Sequence, residues 1–225
     1  MKTVATKGRV GIAMTLGLTS VLIAVSSTPH VAASGKPSAA DSTRSTSDVY
    51  WTFDPATVLG TSTLVRTESG ISASLHSSGL PAGQAVTMWF VVFNHPEFCA
   101  SSPCGPADIP NPEVKFDALY GGGHVIGGTG TANFGGRLAV GDASGSLLVE
   151  QGMTGVGLLN PLGAEVFLML HLHGPASTGQ VLKSQISSFL GGCQTFLGPG
   201  GVADGPEDIP DAVGECSTVQ VSIHQ

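Results

Sequence analysis

Short stretches in which apolar and polar residues alternate run through most of the chain and predict β-strands. In residues 71–76 the apolar positions alternate with serine and histidine, which is the pattern of a strand with one buried face. Residues 85–94 (AVTMWFVVFN) form a longer apolar run that is typical of a central strand covered on both faces. Residues 164–173 (AEVFLMLHLH) predict a second strand of this kind. Further strands are predicted at residues 48–54, 62–67, 114–120, 130–140 and 146–149, and around Val219, Val221 and Ile223.

One segment has the periodicity of a helix instead. Its apolar residues share one side of a helical repeat, Ser177 and Gln180 stand in front of it at capping-box spacing, and Gly191 and Gly192 follow it. We therefore expect one short amphipathic helix near residues 180–190. Many short strands with regular turn signals and a single helix predict an all-β, mainly antiparallel fold, either a β-sandwich or a Greek-key barrel.

The composition agrees with this fold class and excludes others. The chain has 225 residues, of which 41% are hydrophobic and only 11% are charged, and it contains 32 glycines. The apolar content excludes disorder of the whole chain, and the high glycine and low charge argue against a helical bundle. The formal net charge of −7 excludes a nucleic-acid-binding protein that works through a basic face.

The first 33 residues have the three parts of a secretory signal peptide. Basic residues come first, residues 10–27 carry no charge, and Val31-Ala32-Ala33 offers small side chains for cleavage after Ala33. An uncleaved membrane anchor is the competing hypothesis, which the glycine, serine and threonine of the stretch disfavour. We expect a protein that is secreted or lies in the periplasm or cell envelope, without a transmembrane segment after cleavage. Its parts would be a signal peptide at residues 1–33, a flexible leader at 34–47 and a single β-rich domain at 48–225.

All four cysteines, Cys99, Cys104, Cys193 and Cys216, lie in the predicted domain. An even number of cysteines in an oxidising compartment indicates disulfides, and four cysteines allow three connectivities. We expect Cys99–Cys104 and Cys193–Cys216, because each pair brackets a loop rich in proline, glycine and serine. A zinc site of four cysteines is the alternative, but the spacing lacks the short paired knuckles that such sites use.

The strand at residues 164–173 carries the sharpest candidate site. Because side chains alternate along a strand, Met169, His171 and His173 line up on one face, opposite the leucines that we expect in the core. Two histidines so spaced can chelate a metal ion, and methionine with imidazole suits copper, so copper or zinc is the candidate cofactor. The alternative, which the sequence favours, is a semi-exposed face with no cofactor, on which the histidines are ordinary polar residues at a strand end. Further ligands would come from His76, His95, His124 or His224.

The same strand carries a resemblance to a known family. The segment His171-Leu-His173-Gly-Pro-Ala176 resembles the H-[IL]-H-G-P-A signature of chordin-type domains, which are extracellular β-rich modules akin to the copper/zinc superoxide dismutase sandwich. The resemblance implies an extracellular β-rich module. It does not extend to dismutase activity, since only His224 follows His173, whereas that family needs several more ligands there. Residues 79–99 also resemble uncharacterised exported bacterial β-rich proteins, a likeness that adds no chemistry.

Three other segments resemble chemical motifs and are better explained structurally. Residues 141–145 (GDASG) resemble the GDSGG of trypsin-type proteases, but an extra alanine separates the aspartate from the serine, so we expect a turn. The glycine-rich residues 121–130 lack the lysine of a phosphate loop and predict a close-packed turn or bulge. The acidic residues at positions 204–211 lack the EF-hand pattern, and we expect a solvated loop.

These observations lead to three hypotheses of function. The first is an exported, disulfide-stabilised β-sandwich module with a binding or structural role and an unknown partner in the envelope or outside the cell, because no complete catalytic constellation can be assembled. Copper or zinc binding through His171 and His173 is the alternative. A hydrolase whose catalytic residues have no sequence signature is the most distant of the three.

Overall fold

Strands from both halves of the described chain pair into one antiparallel sheet that curls almost into a closed barrel. The computed structural model describes residues 42–225, so the predicted signal peptide and most of the predicted leader lie outside the described residues. The strands are β1 (Thr43–Trp51), β2 (Val58–Thr67), β3 (Gly70–Ser77), β4 (Gln84–Phe93), β5 (Phe116–Val125), β6 (Ala132–Ala139), β7 (Glu165–Pro175), β8 (Thr195–Phe196) and β9 (Glu215–His224). The helices are α1 (Leu147–Glu150) and α2 (Gly179–Gln185), and short 3-10 turns lie at Pro96–Phe98, Pro106–Asp108, Pro199–Gly201 and Pro206–Asp208.

Eight of the strands follow one another around the barrel in the order β5-β4-β7-β9-β1-β2-β3-β6. Their pairings are antiparallel, and the short β8 runs parallel to β9 outside this path. The two end strands β5 and β6 approach each other and nearly close the barrel. The all-β, mainly antiparallel prediction is confirmed, and of its two architectures the barrel is the one present. Within residues 42–225, no helix has the length and apolar character that crossing a membrane requires.

The two strongest strands of the sequence, β4 and β7, lie side by side and are buried on both faces. Their inward side chains fill the barrel, and Phe90 and Leu168 there are fully buried. On the outward face, Phe93 and Phe167 pack in a second apolar cluster together with Cys104 and Val114. Burial on both faces explains why these runs are almost continuously apolar, and the prediction of two central strands is confirmed.

The glycine-rich stretch after Tyr120 belongs to a strand rather than to a connection between strands. Residues 121–125 continue β5, and the pairing shifts by one residue where Met88 faces Gly122 and Trp89 faces Tyr120. Gly121 is therefore the extra residue of a β-bulge, which bends the strand at the edge of the sheet. The bulge agrees with the sequence prediction.

Two elements differ from the sequence predictions in this part of the chain. The strand β1 begins at Thr43, inside the segment 34–47 predicted as a flexible leader, because its backbone pairs with β2 from Thr43 opposite Arg66 onwards although its side chains are polar. Residues 146–149, which the sequence predicts as a strand, form the N-cap and first turn of α1 instead. The Ser146 hydroxyl there accepts hydrogen bonds from the backbone N–H groups of Leu148 and Val149, which is the geometry of a helix N-cap.

The predicted amphipathic helix is present as α2 but is shorter and has a different buried face. It ends at Gln185, its N-cap is Thr178 without a side-chain hydrogen bond, and the predicted capping box does not form. Val181, expected on the apolar side, is half exposed, whereas Gln185 is fully buried. Gln185 takes the buried position because its amide bonds to the carbonyl oxygens of His173 and Pro175 and satisfies the turn that follows β7.

The two disulfides are Cys99–Cys104 and Cys193–Cys216, which is the connectivity expected from the sequence. The first closes a short loop after β4. The second joins the segment that follows β7 to Cys216 on β9. We call residues 176–214 the cover segment, because Phe189, Gly191 and Phe196 within it lie over the two histidines on the outward face of β7.

Candidate metal centre

The outward face of β7 carries His171 and His173, and both are fully buried. The sequence predicted a semi-exposed face, and this prediction is wrong because the cover segment packs over it. Phe189 stacks on the His171 ring with centroids 4.0 Å apart, and the Phe196 ring lies 6.0 Å away, tilted by 32°. The two imidazoles meet edge to face at 4.8 Å. Aromatic contacts therefore hold both rings in place.

The two ring nitrogens of His173 both have hydrogen-bond partners. Nδ1 lies 2.8 Å from the carbonyl oxygen of Gly191, so this nitrogen carries the proton and donates it. Nε2 lies 2.9 Å from the Thr87 hydroxyl, which accepts a bond from the Trp89 indole N–H at 2.8 Å and donates its own proton to the imidazole. His173 is thus a neutral ring held at both ends, between β4 and the cover segment.

His171 is held at one nitrogen only. Its Nδ1 lies 3.0 Å from the Thr218 hydroxyl on β9. Its Nε2 is buried and has no hydrogen-bond partner. An unpaired polar atom in a protein interior is uncommon and costs free energy, so it calls for an explanation such as a bound ligand.

Two sulfur atoms lie next to these rings. The Nδ1 atom of His173 is 3.5 Å from Sγ of Cys193 and 3.9 Å from Sγ of Cys216. The four residues His171, His173, Cys193 and Cys216 each offer one ligand atom, and these atoms all lie within 4.8 Å of one another. They form what we call the His–Cys centre. In the disulfide form the sulfurs are bonded to each other, and only thiolates are strong metal ligands.

Burial determines the protonation of both histidines. Loss of hydration lowers the pKa of His171 well below its usual value, and the neighbouring His173 lowers it further. The Phe189 backbone raises this pKa to a smaller extent. Burial also lowers the pKa of His173 to about 4, partly offset by the Gly191 carbonyl. Both rings are therefore neutral at physiological pH, which is the form that binds metals.

The third predicted ligand, Met169, lies in a different environment. It packs against the second apolar cluster with Phe93 and Phe167, and the group that converges on the two imidazoles contains the two cysteines. The spacing of residues in the sequence could not predict this group of two histidines and two cysteines. Cys193 is brought to β7 by the cover segment, and Cys216 by the pairing of β7 with β9. The disulfide expectation also removed these cysteines from the list of candidate ligands.

The other histidines proposed as ligands lie elsewhere. His76 bonds to Asn133 at 2.9 Å and His95 to Glu97 at 3.1 Å, both near the surface. His124 stacks on Phe134 with ring centroids 4.6 Å apart. His224 is buried at the far end of β9 and bonds to serine hydroxyls.

A serine–histidine contact of the kind found in hydrolases occurs inside the barrel. Nε2 of His224 lies 2.7 Å from the Ser62 hydroxyl, and its Nδ1 lies 2.8 Å from the Ser45 hydroxyl. A triad places a carboxylate at the second nitrogen, and here a hydroxyl occupies that place. Ser62 is also only 2% exposed, so a substrate cannot reach it. The contact is part of the polar packing of the interior.

Asp117 is a buried charged residue that sequence reasoning missed. Its carboxylate is fully buried on β5 and accepts four hydrogen bonds, from Ser146 Oγ at 2.6 Å and from backbone N–H groups of Ala118, Val156 and Gly157 at 2.7–2.8 Å. These bonds attach α1 and the loop after it to the barrel. No sequence signal marks this residue, because an aspartate at a strand start is common at surfaces.

The remaining segments with motif-like sequences behave as structural elements. The GDASG segment is an exposed turn in which Asp142 accepts the Ser144 backbone N–H at 2.8 Å. In the acidic loop, Asp208 accepts the Asp204 N–H at 3.1 Å, and the Glu215 carboxylate accepts the N–H groups of Asp211 and Ala212. Within residues 42–225, the groups of three or more potential metal ligands are the His–Cys centre and Cys99, Cys104 and Asp108.

The fold and the site define a disulfide-bonded, antiparallel eight-stranded β-barrel protein with a buried His–Cys centre that could hold a metal ion. Compared with protein-family models, with curated proteins and with solved structures, the chain matches none of them. The resemblance to chordin-type domains thus stays a prediction from the sequence.

Proposed function

We propose that the protein is an exported, disulfide-stabilised β-barrel module with a structural or binding role outside the cytoplasm. One observation carries this proposal: the imidazoles on the outward face of β7 and the disulfide from β9 hold the cover segment to the barrel. The Cys193–Cys216 bond, the His173–Gly191 hydrogen bond and the stack of His171 on Phe189 all join the segment to the strands.

Further contacts fix the same segment from other elements. The Tyr120 hydroxyl on β5 donates to the Ile186 carbonyl at 2.6 Å. The Glu150 carboxylate at the end of α1 accepts the Ser188 hydroxyl at 2.9 Å and the Phe189 N–H at 3.1 Å. Bonds to a charged acceptor are among the stronger ones in proteins. A segment fastened at so many points supports a rigid module rather than a mobile lid over an active site.

The charge bears on the kind of partner, and the disulfides agree with a role in an oxidising compartment. The chain carries 16 acidic against 9 basic residues, which argues against anionic surfaces as partners. Two disulfides persist where thiols are not kept reduced. The partner on this proposal lies in the cell envelope or outside the cell.

The proposal is tested by expressing the full chain in a secreting bacterial host and measuring the intact mass of the exported protein. We expect an N-terminus at Ser34 and a mass that shows both disulfides formed. Labelling with a fluorophosphonate probe, which reacts with activated serines, tests the absence of hydrolase activity. The proposal would be contradicted if the protein stayed in the cytoplasm with residues 1–33 still attached. Fluorophosphonate labelling of the folded protein that is absent from a denatured sample would contradict it as well.

Metal binding is the second candidate, and the unpaired Nε2 of His171 favours it. On this candidate His171 and His173 bind copper or zinc through their imidazoles. The test is a calorimetric titration of the oxidised protein with each metal, beside a His171→Ala/His173→Ala variant. The matched control is His76→Ala/His95→Ala, because those imidazoles lie at the surface. Stoichiometric binding that only the first variant loses supports the site, and binding equal in all three proteins excludes it.

A further inference from the structure

We propose that reduction of the Cys193–Cys216 disulfide converts the His–Cys centre into a tetrahedral zinc site with His171, His173, Cys193 and Cys216 as its four ligands. The inference deepens the metal-binding candidate, with two thiolates in place of Met169. It is independent of the first proposed function.

The positions of the donor atoms carry the first part of the argument. All four lie within 4.8 Å of one another, on β7, on β9 and on the cover segment. Zinc binds imidazole nitrogen at about 2.0–2.1 Å and thiolate sulfur at about 2.3 Å, which places tetrahedral ligand atoms roughly 3.3–3.8 Å apart. Adjustments of about one ångström therefore suffice to form the site once the sulfur–sulfur bond is broken. Two sulfur and two nitrogen ligands in this arrangement select zinc.

The unpaired nitrogen of His171 is an independent observation that points to a ligand. Nε2 is buried without a partner, while Nδ1 is oriented by the Thr218 hydroxyl at 3.0 Å. Metal-binding histidines commonly donate their second ring N–H to a nearby acceptor, which fixes the ring and its tautomer. With Nδ1–H donated to Thr218, the lone pair of Nε2 is free for a metal, and His171 needs no change of tautomer.

His173 reaches the same geometry by moving one proton within its ring. Nδ1 is the nitrogen next to the sulfurs, 3.5 Å from Cys193 and 3.9 Å from Cys216. In the zinc form Nδ1 gives up the Gly191 carbonyl and binds the metal, and the proton resides on Nε2. The Thr87 hydroxyl, 2.9 Å from Nε2, then accepts this proton in a hydrogen bond instead of donating its own.

The conversion balances in electrons and protons. A dithiol reductant transfers two electrons and two protons to the Cys193–Cys216 bond and becomes a disulfide itself, by exchange through a mixed disulfide. Zinc then displaces the two thiol protons, which leave to solvent, and binds two thiolates and two neutral imidazoles. The product keeps a crosslink between the cover segment and the strands, so zinc replaces the disulfide as the fastening of this segment.

The experiment uses the full chain with Cys99→Ser and Cys104→Ser, so that only one disulfide remains. One sample is left oxidised, and the other is reduced with a phosphine, which is then removed under nitrogen. Both are titrated with Zn²⁺ by calorimetry, and with Co²⁺ by absorption spectroscopy to detect thiolate-to-metal charge transfer. We expect one Zn²⁺ per reduced chain, bound at least about 100-fold more tightly than by the oxidised chain, since thiolates are the stronger ligands.

Two variants of the reduced protein test the roles of His171 as a ligand and of Thr87 as the residue that orients His173. His171→Ala should lose the tight site, and Thr87→Val should weaken zinc binding by about 10-fold or more, because it removes the acceptor of the His173 ring proton. His76→Ala should bind as the parent does. Equal zinc affinity of the oxidised and reduced chains, or an unchanged His171→Ala variant, would overturn the proposal. A reduced chain that unfolds and does not refold with zinc, as measured by circular dichroism, would overturn it as well.

The outcomes also separate this inference from the functions proposed above. Metal binding that is equal in both redox forms but lost in His171→Ala/His173→Ala would show a site formed by the histidines alone, in which the cysteines are not ligands. No metal binding in either form would end both metal hypotheses and leave the exported module, whose test is the N-terminus and the serine probe.

Discussion

Gly136 of β6 lies against Gly121 of β5 at the seam where the barrel closes. A Cβ atom on Gly136 would be 2.9 Å from the Cα atom of Gly121 and 2.7 Å from Cε2 of Phe90. Because β5 and β6 are the two ends of the hydrogen-bonded strand order, this contact sets how closely the ends of the sheet approach. The approach depends on the absence of a side chain at Gly136.

Substitution of Gly136 by alanine is expected to destabilise the protein. The added methyl group meets backbone atoms that cannot rotate away, so we expect a loss of about 1–3 kcal/mol in the free energy of unfolding, the usual cost of overpacking. The measurement is chemical denaturation at equilibrium under oxidising conditions.

Gly135→Ala is the matched control for this prediction. A Cβ atom there would lie 3.7 Å from the Ala73 carbonyl oxygen, which is an ordinary contact. We expect no loss of stability, because alanine also restricts the unfolded chain. Equal losses for the two variants would show that the seam is not closely packed.

Asp117→Asn should weaken the attachment of α1 and its loop. The amide nitrogen that replaces a carboxylate oxygen would face either the Val156 and Gly157 N–H groups or the Ser146 hydroxyl and the Ala118 N–H, all of which are donors. Each buried donor left without an acceptor costs about 1–3 kcal/mol, so we expect a loss above about 2 kcal/mol.

Hydrogen exchange of the backbone amides locates this effect. The N–H groups of Val156 and Gly157 should exchange faster in the Asp117 variant, while those of β7 should change less. Asp48→Asn is the control, because Asp48 is exposed on β1. Unchanged exchange at residues 156–157 would show that the carboxylate is dispensable for holding the loop.

Much of the barrel could be predicted from the sequence, for a physical reason that β4 and β7 illustrate. Both are apolar on nearly every position because one face lines the core and the other lies under loops. The period and the apolar content of such a run indicate directly which faces of the strand are buried. The start of β1 could not be predicted in this way, since the residues from Thr43 to Ser47 are all polar and pair with β2 through their backbone.

The candidate site was predictable only in part. Strand alternation correctly placed His171 and His173 on the same face of β7, but it could not show what covers them. The cover comes from Phe189, Cys193 and Phe196, whose positions depend on the path of a long connection rather than on local periodicity. The buried face of α2 was mispredicted for the same reason. The polar Gln185 is buried there and the apolar Val181 is half exposed, which the helical periodicity does not indicate.

Thr87→Val tests the hydrogen-bonded chain that supports His173. Valine has nearly the same shape but leaves the Trp89 indole N–H and the Nε2 atom of His173 without a partner in a buried place. We expect a loss of about 1–3 kcal/mol in the free energy of unfolding of the oxidised protein. Thr61→Val on the exposed side of β2 is the control and should be neutral or slightly stabilising, because valine suits a strand. A neutral Thr87 variant would mean that this chain of bonds adds no net stability.

The stability of the protein should fall as the pH is lowered from neutral, and His224 should account for part of the fall. Burial lowers the pKa of His224 from 6.5 to about 4, and the positive charge of Arg66 on β2 acts in the same direction. The other groups that bond to its ring are the uncharged hydroxyls of Ser45 and Ser62. Above pH 6.5 the imidazole is neutral in both the folded and the unfolded chain, and its contribution is fully present.

Between pH 6.5 and about 4 the unfolded chain binds a proton at this residue and the folded chain does not. The free energy of unfolding therefore falls by up to about 1.4 kcal/mol per pH unit from this one group, and the fall ends below the folded pKa. In His224→Gln the titrating group is gone, so we expect a shallower decline over the same range, measured by denaturation at a series of pH values. His76→Gln, which changes an exposed imidazole, serves as the control and should follow the parent curve. A His224 variant with the parent's slope would show that the fold does not lower the pKa of this imidazole.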